Sequence, residues 1–323
     1  MKSKGFATGI WVFGSCPDRY CVRGYKEGFS LEIALDRIAA IEGLRGVIMH
    51  YPHPINDQTV EAIKKELERR NLQLASCDVD LFSDPVFALG SLMSENDGLR
   101  RKAIEMCKKA MDMAEYLGAE VMNLWPGQDG FDYPFQIDYR AQWELLVQAL
   151  KEIAVHNPRV KLSLEYKLRE PRTHSTISNA GVALFLAQTT GLPNVGVTID
   201  LGHSFNCKES PGNVVAFLDQ YGKLFALHLN DNFRDWDDDM AVGVVHFWET
   251  LEFLYYLYHS HYEGWLGLDI FPYREDPTLA CQISIENINS MLQVVEKVDV
   301  VQLREMQKKG DGLSAMRYIK SLL

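Results

Sequence analysis

Seven acidic and imidazole side chains, Glu165, Asp200, His203, His228, Asp237, Asp239 and Asp269, lie at or just beyond the ends of short apolar runs. The runs are VKLSLE (160–165), NVGVTID (194–200), KLFALHLND (223–231) and GWLGLDI (264–270), with helix-like stretches between them. Side chains that finish successive strands converge on one mouth, the end of a barrel at which chemistry occurs. Carboxylates crowded there do not all stay ionised without cations. Oxygen ligands with an imidazole at each metal suit Mn²⁺, Mg²⁺ or Co²⁺ better than a thiolate-seeking ion. The pattern is therefore read as a site for two divalent metal ions.

Each member also has a blander reading taken alone. Glu165 and Lys167 are two apart on a strand and share a face, which presents an acid beside a cation or a simple ion pair inside a barrel. In IDLGH, Asp200 ends a strand and His203 follows a Leu-Gly turn; DxxH alone also fits an ordinary turn. His228 closes LFALH, and WDDD sets Asp237 and Asp239 two apart in a loop nine residues further on. Asp269 ends an apolar strand, where an uncompensated carboxylate is costly. Trp11 on the first strand, Phe87 after the third and Trp125 at the end of the fourth offer flat walls for the C–H faces of a sugar, or plain core packing. His50 closes VIMH and is placed to exchange a proton with a substrate oxygen.

Eight strand and helix signals alternate along the chain, which predicts an α/β fold, the (β/α)8 TIM barrel. The other strands are expected near 6–13, 46–49, 72–77 and 119–125. Helices are expected over 30–41, 57–70, 98–117, 139–156, 179–190, 211–221, 246–259 and 280–297. The clearest, 98–117, spaces Ala103, Ile104, Cys107, Ala110, Met111 and Ala114 three or four apart and ends at Gly118. Residues 1–299 are read as one catalytic domain and 300–323 as a short C-terminal helical arm.

Hydrophobic residues make up 47% of the 323 and charged residues 24%, ordinary usage for a globular chain with a sizeable core. A net charge of −11 argues against nucleic acid and anionic membranes as partners. Apolar stretches fall short of a membrane span. The N-terminal MKSKGFATGIWVFGSC is read as a first strand rather than a secretory signal, since Thr8 and Gly14 interrupt its apolar part. Six cysteines without a CxxC pair suit reduced thiols and a cytoplasmic location.

LFSDPVFALGSLMSENDGLRRKAI, LWPGQDG, LEYKLREPR, GKLFALHLN and WDDDM resemble segments of the xylose isomerase family, and the likeness runs from about residue 6 to 290. The resemblance implies metal ligands at Glu165, Asp200, His203, His228, Asp237, Asp239 and Asp269, with Asp200 shared between two sites. It implies Lys167 near the substrate carbonyl oxygen, His50 as the ring-opening histidine, and Trp11, Phe87 and Trp125 as pocket walls, with His203 also beside the substrate. Asp200 stands where the family carries a bridging glutamate, and His228 where it carries an aspartate. That first-metal set is more similar to L-rhamnose isomerases and ketose 3-epimerases. His53 stands where the family's ring-opening histidine has its aspartate partner. The function implied is aldose–ketose isomerisation of an unphosphorylated small sugar by a homodimer or homotetramer. Three rivals stand beside it: a ketose 3-epimerase using Glu165 and Asp269 for proton transfer, an abasic-site endonuclease, which the net charge disfavours, and a non-enzymatic sugar-binding protein, which the complete ligand set disfavours.

Overall fold

The computed structural model describes residues 2–323. Eight strands close into a parallel barrel: β1 (Phe6–Gly9), β2 (Leu44–Tyr51), β3 (Gln73–Val79), β4 (Val121–Leu124), β5 (Lys161–Glu165), β6 (Val195–Asp200), β7 (Leu224–Leu229) and β8 (Leu266–Leu268). Each pairs with its neighbours in chain order, and β8 closes on β1 with Phe6 opposite Leu266. This is the expected (β/α)8 barrel. A small antiparallel pair, Gly130–Phe131 with His174–Ser175, lies outside it.

The outer ring comprises α1 (Leu31–Ala40), α2 (Val60–Arg69), α3 (Asp97–Leu117), α4 (Tyr139–His156), α5 (Ala180–Thr190), the short α6 (Leu201–Asn206), α7 (Pro211–Gln220), α8 (Phe247–Tyr258) and α9 (Pro277–Glu296). Two further helices, α10 (Val300–Lys308) and α11 (Gly312–Lys320), follow. In α3 the six expected apolar positions are all buried. Asn96 accepts from Leu99 N–H at its start, and Gly118 ends it at φ 81°, a left-handed turn that glycine adopts without strain.

The first expected strand, 6–13, is half strand and half turn. Beyond Gly9 the chain enters a 3₁₀ turn, Ile10–Phe13, in which Val12 and Phe13 are buried, so the apolar run continues although the strand does not. A Cβ at residue 9 would lie 2.2 Å from the Trp11 ring. Glycine there lets the indole fold back over β1 towards the barrel mouth. The Leu-Gly step after Asp200 also differs from expectation, opening α6 instead of a loose turn: Asp200 Oδ1 accepts from His203 N–H at 2.8 Å as its N-cap. Among the described residues no helix is long and apolar enough to cross a membrane. All six cysteines are free thiols.

Candidate metal centre

The strand-end residues meet at the C-terminal mouth. Glu165 ends β5, Asp200 ends β6, His228 lies one residue inside the end of β7, and Asp269 follows β8. One ligand atom from each of these four lies within 4.8 Å of the others, and so does a second set, Asp200, His203 and Asp237. Asp200 belongs to both sets. Asp239 joins neither; it sits at φ 47° and accepts from Asn230 Nδ2, which also donates to Asp200 Oδ2 at 3.0 Å. The loop carrying Asp237 and Asp239 is tied down by the buried Asp231, whose carboxylate accepts from Val245 N–H, His246 N–H and His246 Nδ1.

His203 Nε2 bonds Asp237 Oδ2 at 3.1 Å, but other candidate ligand atoms face one another without bonding. His228 Nδ1 is 3.3 Å from Glu165 and 3.2 Å from Asp269, and His203 Nδ1 is 3.4 Å from Glu165. Neither nitrogen has a partner in hydrogen-bond geometry, and Asp237 Oδ1 has none either. Orphaned polar atoms in a buried site are expensive. Several aimed at common points, all nitrogen or oxygen, fit divalent cations of the Mn²⁺, Mg²⁺ or Co²⁺ type.

The charges behave as a crowded acid cluster does. Burial, only partly offset by His203, pushes Asp200 up to about 7. Burial alone would also raise Glu165, but His228 and His203 hold it down at about 2. Burial opposes a charge on His203, yet Asp200 and Asp237 raise it to about 9. Lys167 is buried and remains an ammonium: Nζ lies 2.6 Å from Asp237 and 3.0 Å from Glu170, and 4.9 Å from the Trp125 ring centre.

Above the ligands opens a cavity of about 840 Å³, within the range of small-molecule sites. One wall is a row of rings: Trp11 against His50 at 4.6 Å, His50 against Phe82 at 5.9 Å, Phe82 against Trp125 at 4.7 Å. Trp11 also donates from Nε1 to Asp269 Oδ1 at 2.7 Å. A second cavity, about 660 Å³ between the strand starts, is lined by Tyr221, Phe225 and Trp265. Among the described residues the two acid–imidazole sets that could hold a metal both lie at the mouth.

Phe87 does not reach the cleft. Asp84 caps a 3₁₀ turn over Pro85–Phe87 that carries this ring into the core, where it is fully buried, and Phe82 takes the place in the wall. His53 is exposed and lies outside the cleft lining. The register neighbour of His50 is instead Asp78 on β3. Asp78, Asn123, Asn230, Trp236 and Tyr273 also belong to the site and went unread in the sequence. For Asp78 and Asn123 the available signal was a polar residue breaking an apolar strand at its inward parity.

The family model described as a xylose isomerase-like TIM barrel matches residues 35–291. The xylose isomerase of Thermus thermophilus is 26% identical over 273 residues, 80% of this chain and 70% of that protein. A probable sugar isomerase of Mesorhizobium japonicum is 25% identical over 291 residues, 85% of this chain and 66% of that protein. Among solved structures, a D-tagatose 3-epimerase-like protein superposes with a TM-score of 0.71 at 18% identity, covering 91% of this chain and 99% of that one. An L-ribulose 3-epimerase gives 0.69 at 16% identity, covering 91% and 96%. The structural likenesses speak for the fold alone. The family match, spanning most of the barrel, goes further: this chain belongs to the xylose isomerase-like TIM-barrel family.

Proposed function

We propose that the protein is a divalent-metal-dependent sugar isomerase that interconverts an unphosphorylated aldose and its ketose by hydride shift between C1 and C2. The observation that carries this reading is the second acid–imidazole cluster, Asp200, His203 and Asp237, sharing a carboxylate with the first and standing beside Lys167. The xylose isomerase and sugar isomerase names of its sequence relatives support it. Glu165, Asp200, His228 and Asp269 would hold one cation, and Asp200, His203 and Asp237 a second, with Asp239 behind them on Asn230. Bound cations would supply Lewis-acid polarisation of substrate oxygens.

The chain's own groups do the rest. Lys167 presents a fixed ammonium to the carbonyl oxygen, where charge grows during the shift. His50 stands in the cleft wall to exchange a proton with the ring oxygen. Trp11, Phe82 and Trp125 pack the C–H faces and keep water from the reacting carbons. Besides histidines, the cleft lining includes two basic residues, Lys167 and Arg19. With Lys167 held by two carboxylates, little remains for a phosphate.

One feature favours a second reading. Lys167 already pairs with Asp237, which lessens the second set's need for a cation, and a single cation on the first set would serve a ketose 3-epimerase with Glu165 and Asp269 as proton carriers. Unphosphorylated aldoses and ketoses incubated with Mn²⁺, Co²⁺ or Mg²⁺ in deuterium oxide separate the two. Aldose–ketose conversion without deuterium at C1 or C2, with two metals bound per chain, is the expected result. Deuterium at an epimerised C3 with one metal supports the epimerase, and no turnover across the panel refutes both.

The two phenylalanines give a further check. Phe87→Ala is expected to cost about 3–5 kcal/mol of stability through a core cavity and to leave KM unchanged. Phe82→Ala should change stability by less than about 1.5 kcal/mol, the cost of a modest change at a half-buried position, and raise KM several-fold. The reverse assignment of effects, read by thermal unfolding and kinetics, would put Phe87 back in the site.

A further inference from the structure

Barrel interiors are usually filled by layers of branched apolar side chains. Directly beneath the ligands this barrel carries a buried polar layer instead, drawn from four adjacent strands: Ser76 and Asp78 on β3, Asn123 on β4, Ser163 on β5 and Thr198 on β6. Asp78 Oδ1 accepts from Ser76 Oγ at 2.6 Å and Oδ2 from Asn123 Nδ2 at 3.1 Å. The same amide nitrogen donates to Glu165 Oε2 at 2.6 Å. Asn123 Oδ1 accepts from Thr198 Oγ1 at 2.6 Å, and Thr198 lies 2.6 Å from Ser163 Oγ. Such a network forfeits apolar packing and is tolerable only when its members are satisfied. Its upper edge touches the first ligand set at two points. One is Glu165, and the other is His228, whose Nε2 lies 3.8 Å from Asp78 Oδ2 while Nδ1 faces Glu165 and Asp269.

We propose that Asp78 is a positioning residue for the first metal site, acting on His228 through the charge it sets 3.8 Å from Nε2 and on Glu165 through Asn123. The inference rests on the metal reading above. An imidazole that gives one nitrogen to a metal is oriented by what its other nitrogen meets, and a carboxylate there fixes the ring and strengthens the ligand. Asp78 is the carboxylate on that side. Asn123 cannot substitute for it, because its amide nitrogen is already shared between Asp78 and Glu165 and its oxygen is taken by Thr198. In Asp78→Asn the amide oxygen can stay against Asn123 Nδ2 with the NH₂ group turned to Ser76 Oγ, so the substitution keeps the shape and removes the negative charge that faces His228.

The test is titration of the full-length, metal-free protein with Mn²⁺ alone, followed by calorimetry. Asp78→Asn is expected to bind about 10- to 100-fold more weakly than wild type, the usual loss when a partner behind a ligand is removed. At saturating Co²⁺ its visible absorption band should also shift, a change that a loss of packing without reorientation of ligands does not produce. Asn123→Ser, which frees Glu165 but leaves Asp78 facing His228, should weaken Mn²⁺ binding about tenfold and tests the relay to Glu165, wild-type affinity overturning that half; if Asp78→Asn does not fold, Asp78→Ser takes its place. Wild-type affinity and an unchanged Co²⁺ band in the folded variant overturn the positioning role. A wild-type protein that binds no Mn²⁺ refutes the metal reading itself, which is a distinguishable outcome.

Discussion

Glu165→Gln should lower kcat/KM by about a thousandfold or more, some 4 kcal/mol of transition-state stabilisation. Its carboxylate is engaged on every side. Oε1 lies 3.4 Å from His203 Nδ1, Oε2 lies 3.3 Å from His228 Nδ1, and Asn123 donates to Oε2 at 2.6 Å. A glutamine of the same shape must place an NH₂ group at one of those points. Turned towards Asn123, it opposes one donor with another; turned towards the imidazoles, it removes an anionic ligand from the proposed first metal. Either orientation also leaves the mouth one negative charge short. Kinetics with the active sugar, paired with Mn²⁺ titration and circular dichroism, check this result. A folded variant that keeps turnover within tenfold of wild type would remove Glu165 from the chemistry under either reading of the reaction.

Glu165 was legible because it ends an apolar run, and the same logic found Asp200, His228 and Asp269. A charged or imidazole group after four or five apolar residues stands out, and the parallel pairing of β5 to β8 brings these ends to one place. The helices were legible for a related reason. Their inward stripes and caps, as in α3 with Asn96 and Gly118, are local signals that the barrel does not override.

The wall was harder to read, because aromatic identity does not say which way a ring points. LFSDPVF holds two phenylalanines, and a 3₁₀ turn begun by Asp84 decides that Phe87 goes inward and Phe82 faces the cleft. The apolar run outlasts β1 and so predicts Trp11 on a strand; the turn after Gly9 carries it to Asp269 instead. Asp78 and Asn123 were overlooked for a third reason. A single polar residue within a strand looks the same whether it is a core group satisfied at random or one link in a chain spanning four strands, and only the register between strands separates the two.

Lys167→Met tests the other half of the centre. The ammonium lies between Asp237 at 2.6 Å and Glu170 at 3.0 Å, with side chains largely shut off from water. Removing one member of a buried ion pair strands the rest, at a cost of about 3–5 kcal/mol. For a chain of this size the melting temperature of the metal-free protein should then fall by about 5–10 °C. Asp237 is also 3.1 Å from His203 Nε2 and belongs to the second ligand set, so a dication entering there replaces the missing charge. Added Mn²⁺ should therefore raise the melting temperature of the variant more than that of wild type, because the stabilisation from a bound ligand grows with the logarithm of its concentration relative to Kd and the stranded carboxylates gain most from the cation. Turnover should not return with stability. Methionine gives no donor to the carbonyl oxygen, and losing one such donor costs about 10²–10³ in kcat. Arginine is no remedy, since a planar fork does not fit a slot shaped around a single ammonium beside the Trp125 ring. A metal-saturated Lys167→Met protein with wild-type kcat would reduce the lysine to a counter-ion for Asp237 and favour the single-metal, proton-transfer reading of the site.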